Sequence, residues 1–154
     1  MEKYVLQISR KEATVCGQFI AFHTDYSNGT VAVRGDRQLD ADSIAYWEIN
    51  VPHRLFGTSV MFGVGSKLAK CSLRYRFTNL LGSDEHSYGL SYNGQIYHNG
   101  IGVRFCNAFQ DPCVLSVLFY GPSASIAFFL NGAPLGWAFT QINLNQPLYP
   151  MISR

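Results

Sequence analysis

Charged residues are scarce in this chain, at 14% of its 154 residues. The 12 basic and 10 acidic side chains are spread along the sequence without runs, and the formal net charge is +2. Nucleic acids and anionic membranes are bound through concentrated basic surfaces, so the sequence predicts neither as a partner. The chain also lacks an apolar run of the length that a membrane-spanning helix needs.

The first residues lack the apolar stretch followed by small residues that marks a secretion signal. We therefore expect an intracellular protein, in the cytoplasm, the nucleus or both. The four cysteines, Cys16, Cys71, Cys106 and Cys113, form no Cys-x-x-Cys pair. This spacing favours buried free thiols in a reducing compartment over a disulfide framework, with Cys106 and Cys113 the pair most able to contradict it.

Sequence patterns of catalysis are missing as well. No Gly-x-Ser-x-Gly elbow is present. Asp84 and Glu85 are neighbours whose side chains point to opposite faces of an extended chain, and Ser83, Asp84 and His86 are too crowded for a catalytic triad. We therefore expect that the protein is not an enzyme.

The sequence also lacks histidines at the spacing that is typical of metal ligands. None of the four histidines has a partner at such spacing; they are His23, His53, His86 and His98. We therefore expect no metal site and no cofactor.

What the chain does have is apolar and aromatic side chains, at 47% and 14% of the sequence. This is enough for one sizeable core in a chain of this length, so we expect a single domain over residues 1–154. Asn-Gly pairs recur at Asn28, Asn93, Asn99 and Asn131. This dipeptide supplies the positive φ angles of tight hairpin turns, which join antiparallel strands.

Short alternating or apolar stretches separate these turns, and no long helical period occurs. We predict strands within six stretches: Tyr46–Val51, Ser59–Val64, Gly89–Tyr92, Gln95–His98, Val114–Phe119 and Ser125–Leu130. Such spacing is typical of an all-β sandwich or barrel. The stretch from Lys67 to Arg76 breaks the pattern. It fits either a helical turn or a long loop, and we predict a loop there.

Several segments occur in an order that resembles the SPRY family, from about Ile20 to Arg154. They are Tyr46-Trp47-Glu48-Ile49, Gly63-Val64-Gly65, Ser87-Tyr88-Gly89-Leu90, Phe128-Phe129-Leu130-Asn131-Gly132-Ala133-Pro134-Leu135-Gly136 and Leu148-Tyr149-Pro150-Met151. Further segments resemble the SPRY domain-containing SOCS-box proteins, especially their third subfamily. These are Phe22 to Ser27, Val33-Arg34-Gly35, Phe56-Gly57-Thr58 and Leu80 to Glu85.

The resemblance implies a bent β-sandwich of two antiparallel sheets, with at most one short helix and a peptide pocket formed by loops at one end. In the SOCS-box relatives the pocket holds asparagine-containing motifs, and the SOCS box recruits elongins and a cullin. We therefore expect a peptide-binding module that serves as the substrate-recognition part of a cullin-RING ubiquitin ligase. The chain stops at Arg154, so we expect it to lack the last SPRY strand and the SOCS box, with elongin B/C and cullin as partners only if a SOCS box follows.

The resemblance also implies which residues line the pocket. They are His23, Asp25, Ser27, Asn28, Gly57, Thr58, Phe77 and Leu80. In such a pocket, polar side chains and exposed backbone groups can hydrogen-bond to side-chain amides of a peptide, while the aromatic ring of Phe77 and the side chain of Leu80 form an apolar floor. The alternative for the residues is that they are ordinary loop residues. Alternatives for the function are a SPRY scaffold module without a ligase link and a lectin-like sandwich that binds carbohydrate.

One tripeptide, Arg34-Gly35-Asp36, matches an integrin-adhesion signal. That function needs a protruding extracellular loop, which the lack of a secretion signal argues against. We assign Arg34 and Gly35 to a turn that the family shares.

Overall fold

The computed structural model describes residues 6–8, 13–16, 19–22, 29–55, 60–74 and 79–154. Within these residues the chain forms strands and one short 3-10 helix, Gly121–Ser123. The strands are β1 (Leu6–Ile8), β2 (Ala13–Cys16), β3 (Phe19–Phe22), β4 (Gly29–Gly35), β5 (Ile44–Val51), β6 (Met61–Gly65), β7 (Ser72–Arg74), β8 (Ser87–Ser91), β9 (Gln95–His98), β10 (Ile101–Arg104), β11 (Cys113–Tyr120), β12 (Ser125–Leu130), β13 (Ala133–Phe139) and β14 (Tyr149–Ser153).

Two antiparallel sheets account for most of these strands. The larger one has the order β1-β4-β14-β6-β8-β9-β10, and β7 also pairs with β4. The smaller one has the order β13-β12-β11-β5, and β2 and β3 form a separate pair. The expected all-β architecture of two antiparallel sheets, with at most one short helix, is confirmed.

The structure describes both residues of three Asn-Gly pairs. In two of them both residues have positive φ angles, whereas in Asn93-Gly94 only Gly94 does. Asn99 and Gly100 have φ angles of 53° and 76°, and Asn131 and Gly132 have φ angles of 51° and 80°. These turns join β9 to β10 and β12 to β13. Positive φ at both central residues matches the right-handed twist of the flanking strands, which is why this dipeptide predicted the hairpins.

The predicted strands agree with the structure over the residues that it describes, which exclude Ser59. Two of them, β9 and β12, agree to the residue. The loop predicted from Lys67 to Arg76 is wrong in part, because β7 occupies Ser72–Arg74. This strand pairs with Gly29, Thr30 and Val31 at the start of β4. Such a short strand carries no alternation of its own, and its partner lies far away in the sequence.

The main core lies between the two sheets. Its largest fully buried members come from alternate positions, such as Phe119 in β11, Phe128 in β12 and Phe62 in β6. A small cluster covers the opposite face of the larger sheet and consists of Ala32, Met61, Ala69, Leu80, Leu81 and Met151. The larger sheet is therefore covered on both faces around β6 and β8, in which every residue is buried.

Candidate peptide-binding site

The predicted site residues fall in three segments whose neighbours in the sequence lie at one end of the larger sheet. Gly29, which follows the first segment, pairs with Arg74, which precedes the third. Met61, close after the second segment, pairs with Ser153 of β14, and β14 also pairs with β4. The strands β7, β4, β14 and β6 therefore lie side by side, and the described flanks of all three segments meet at the same end of these strands.

Backbone hydrogen bonds continue the strand pairing beyond the last paired residues at this end of the sheet. The Val31 amide donates to the Arg154 carbonyl over 3.0 Å, and the Arg154 amide donates to the Val31 carbonyl over 2.9 Å. The Tyr92 amide donates to the Val60 carbonyl over 3.2 Å, and the Leu55 amide donates to the Gln110 carbonyl over 2.7 Å. Backbone pairing thus fixes both flanks of the segment that contains Gly57 and Thr58.

Of the eight predicted site residues, Leu80 is the one whose side chain the structure describes. It belongs to the small cluster with Met61 and Met151 and is 1% exposed. The other seven, His23, Asp25, Ser27, Asn28, Gly57, Thr58 and Phe77, lie outside the described residues. The pocket assignment of all eight stays a prediction.

Arg34 introduces a positive charge beside this cluster. It pairs with Met151 on the neighbouring strand, and its Nη2 donates to the Ala69 carbonyl over 3.0 Å. The same nitrogen lies 3.0 Å from the Cys71 sulfur. The assignment of Arg34 and Gly35 to a turn is wrong, because both are strand residues of β4 that also pair with β1. A part-buried arginine within a sheet does not present an adhesion loop.

Ser153 lies on the same face as Met151, since side chains two positions apart share a face. It is 0% exposed, and its hydroxyl has no hydrogen-bond partner among the residues that the structure describes. A buried unpaired hydroxyl lowers the stability of a fold by about 1 to 3 kcal/mol. Ser153 is therefore a destabilising position at the end of the strands where the predicted segments attach.

The residues considered for catalysis have structural roles. The Asp84 carboxylate accepts a hydrogen bond of 2.9 Å from the His86 amide, which closes a local turn. Glu85 points outward, with 74% of its side chain exposed, and its carboxylate lies 3.7 Å from the His86 ring. His98 stacks on the buried Tyr88 ring with centroids 3.9 Å apart. Within the described part of the chain, no group of three or more metal-ligating side chains converges.

Two thiols bear on the compartment that we expect. Cys106 and Cys113 are both free in the structure, and Cys113 is buried. Burial raises the pKa of Cys106, although Arg104 partly opposes this, and burial alone raises the pKa of Cys113. Both groups therefore hold less thiolate at a given pH than an exposed cysteine does.

We expect both cysteines to react slowly with iodoacetamide in the folded protein near neutral pH and rapidly once the chain is unfolded. Mass spectrometry of unreduced protein, alkylated before or after unfolding, measures both rates. A protected Cys106 to Cys113 bridge, or labelling of the native protein as fast as of a free cysteine peptide, would contradict the expectation.

Comparisons with known proteins agree with this architecture. A family model described as the SPRY domain matches residues 44–154. The chain is 34% identical over 148 residues to the SPRY domain-containing SOCS box protein 3 of Xenopus tropicalis. It is 33% identical to the protein of the same name from Xenopus laevis. Each alignment covers 94% of this chain and 41% of the relative, so the chain spans less than half of their length.

Solved structures show the same fold. The crystal structure of the TRIM65 PSpry domain matches with a TM-score of 0.74 and 21% identity, over 98% of this chain and 84% of that one. A crystal structure of a human SPRY domain matches with a TM-score of 0.72 and 19% identity, over 94% and 89% of the two chains. The described part of the chain contains no helix with the length and hydrophobicity of a membrane span.

Proposed function

The chain belongs to the SPRY family, a family of protein-interaction modules, and from this premise we propose that it binds short asparagine-containing segments of other proteins. The observation that carries the proposal is that the described flanks of all three predicted segments meet at one end of the neighbouring strands β7, β4, β14 and β6. Residues from three separate parts of the sequence can form one pocket only if their flanks come together in this way.

Asparagine suits such a pocket because its side-chain amide both donates and accepts hydrogen bonds. A site with matched polar groups rejects a residue that leaves those groups unpaired, since each unpaired buried group costs free energy. Loops held by a rigid sheet provide fixed backbone groups for this purpose.

We propose further that this module is the substrate-recognition part of a cullin-RING ubiquitin ligase, inside the cell, when a SOCS box follows it. Support comes from the two Xenopus relatives, whose names include the SOCS box. Elongin B/C and a cullin are the partners that this role requires. Co-precipitation of elongin B/C with the longest form of the protein that the gene encodes tests it, and an absence of elongin there would favour a scaffold module without a ligase link.

Calorimetry tests the peptide proposal. We expect a peptide with consecutive asparagines to bind and its alanine counterpart to fail. The Thr58→Ala variant should weaken binding by about 1 kcal/mol through the loss of one neutral hydrogen bond. The titration uses the 154 residues and any longer form of the chain, because the further strand expected after Arg154 stays a prediction.

Ile101→Ala is the matched control for this titration. Ile101 is 65% exposed on β10, which lies at the opposite edge of the sheet from β1. We expect this variant to bind as the unmodified protein does. Equal binding of the asparagine and alanine peptides, or unchanged affinity in a folded Thr58→Ala variant, would refute the assignment of the pocket.

A further inference from the structure

The smaller sheet turns one face away from the core and leaves large apolar side chains on it. We call this surface the outer face, and its residues are Ile44, Tyr46, Leu118, Tyr120, Phe129 and Trp137. Ile44 is 59% exposed, Trp137 is 53% exposed and Tyr120 is 37% exposed. Half of the exposed large apolar side chains in the described part of the chain are therefore on this one surface. A contiguous apolar surface of this kind marks an interaction site.

Strand register brings these side chains together. Leu118 of β11 lies between Tyr46 of β5 and Ala127 of β12, and Ala127 pairs with Trp137 of β13. One row therefore crosses all four strands from Tyr46 to Trp137. Tyr120 pairs with Ile44 in the adjacent row.

Aromatic packing holds part of this surface in place. The rings of Tyr46 and Phe129 are on strands at either side of β11, and they meet edge to face, with centroids 6.1 Å apart and an interplanar angle of 71°. Ser116, which pairs with Phe129 from the strand between them, is 1% exposed. The outer face is thus a preformed surface, which lowers the entropy cost of binding.

Acidic residues predominate beside this surface, although the loop that leads to Ile44 also carries Arg37. Glu48 is the single charged residue of the four strands of the sheet, and its carboxylate accepts a hydrogen bond of 3.3 Å from the Tyr46 hydroxyl. Asp40 and Asp42 lie in the loop that leads to Ile44. The Gly121 amide donates to the Ser43 carbonyl over 2.7 Å, which holds this acidic loop beside the end of β11.

We propose that the outer face binds an amphipathic helix of another protein, with apolar residues against the aromatic row and lysine or arginine beside Glu48, Asp40 and Asp42. The row crosses three strand spacings, about 14 Å, which is enough to seat a helix about 10 Å in diameter. Opposite charges favour this orientation and raise the association rate.

A second copy of the chain fits the outer face less well. A stable interface takes about 20 to 30 residues from each side, far more than the six side chains of this surface. The outer face is also on a different sheet from the strands that flank the proposed peptide pocket. The two proposals therefore succeed or fail independently.

Two designed helical peptides of about 18 residues, five turns, test the proposal. Both carry leucine on one face, and the other face carries lysine in one peptide and glutamate in the other. We expect the lysine peptide to bind with one-to-one stoichiometry and to shield Trp137 from acrylamide quenching. Trp47 is 7% exposed and serves as the internal reference. The glutamate peptide should bind at least about tenfold more weakly, because it brings like charges to the acidic loop.

Variants are compared by the anisotropy of labelled peptide, which does not depend on tryptophan emission. Trp137→Ala and Ile44→Gln should each weaken binding of the lysine peptide at least about tenfold, as expected for anchors of an interface. Ile101→Gln replaces an isoleucine of similar exposure on the larger sheet, 65% against 59% for Ile44, and should leave binding unchanged.

Three results would overturn the proposal. The first is equal affinity for the lysine and glutamate peptides. The second is an equal effect of Ile44→Gln and Ile101→Gln, which would mean that the peptide binds without regard to the outer face. The third is a concentration-dependent dimer in sedimentation experiments that Ile44→Gln abolishes, because this would assign the outer face to a second copy of the chain.

Discussion

Replacing Gly63 with alanine is expected to lower the free energy of unfolding by more than about 4 kcal/mol, an effect that is exceptional for one methyl group. Gly63 lies in β6 directly opposite Gly89 in β8. A Cβ atom at position 63 would overlap the carbonyl oxygen of Tyr88 and lie 2.9 Å from the Gly89 Cα. Both obstacles are backbone atoms of a central strand, so neither can rotate away as a side chain does. Urea unfolding, followed by the emission of the buried Trp47, measures the loss.

Gly132→Ala is the matched control. Gly132 has a φ angle of 80°, and a Cβ atom there would meet nothing within 4 Å. Its replacement should cost about 1 to 2 kcal/mol from backbone strain alone. If Gly63→Ala proved no more destabilising than Gly132→Ala, close strand contact would not be the reason for glycine in β6.

This contact gives a physical reason for part of the family resemblance. The segments Gly63-Val64-Gly65 and Tyr88-Gly89-Leu90 are far apart in the sequence but pair as neighbouring strands. At position 89 a Cβ atom would lie 2.6 Å from the Cβ of Leu81 in the small cluster. The sequence could predict the glycines as a family pattern, whereas their function as sites of close approach depends on strand register.

Much of the smaller sheet could be predicted from the alternation of inward-facing and outward-facing side chains along each strand. In β11 the core receives Leu115, Val117 and Phe119, and Tyr120 points outward. Phe119 and Phe128 are 0% exposed, whereas their chain neighbours Tyr120 and Phe129 lie on the outer face. Alternation follows from the two-residue period of a strand, which requires no knowledge of its neighbours.

The outer face itself could not be predicted in the same way. Tyr46 and Trp137 lie in strands at opposite edges of the sheet, and β11 and β12 lie between them. Only the register of three strand pairs places them in one row. Each strand reveals which of its own residues point outward, but not which residues of other strands they meet.

The larger sheet gave weaker sequence signals for a different reason. All five residues of β6 and all five of β8 are buried, because the main core covers one face and the small cluster covers the other. Strands buried on both faces read as apolar runs without alternation. This second cover is also why Leu80, which we predicted as a pocket residue, is part of a packed core.

Replacing Leu80 with alanine is expected to lower the free energy of unfolding by about 2 to 5 kcal/mol, the usual cost of truncating a buried leucine. Leu80 is 1% exposed among Ala32, Met61 and Met151. Leu68→Ala is the matched control, since Leu68 is 59% exposed, and its effect should stay within about 0.5 kcal/mol. Denaturant unfolding of both variants measures the difference, and an equally small effect of both would contradict the burial of Leu80.

Leu81→Ala then separates packing from recognition. Leu81 is 0% exposed in the same small cluster, so its truncation should destabilise the fold to a similar degree. If Leu80 also forms the apolar floor of the pocket, Leu80→Ala should weaken asparagine-peptide binding, whereas Leu81→Ala should leave it unchanged. Calorimetry is done well below the unfolding midpoint of each variant, so that only folded protein is titrated. Equal affinities in the two variants would restrict Leu80 to the core and remove it from the pocket.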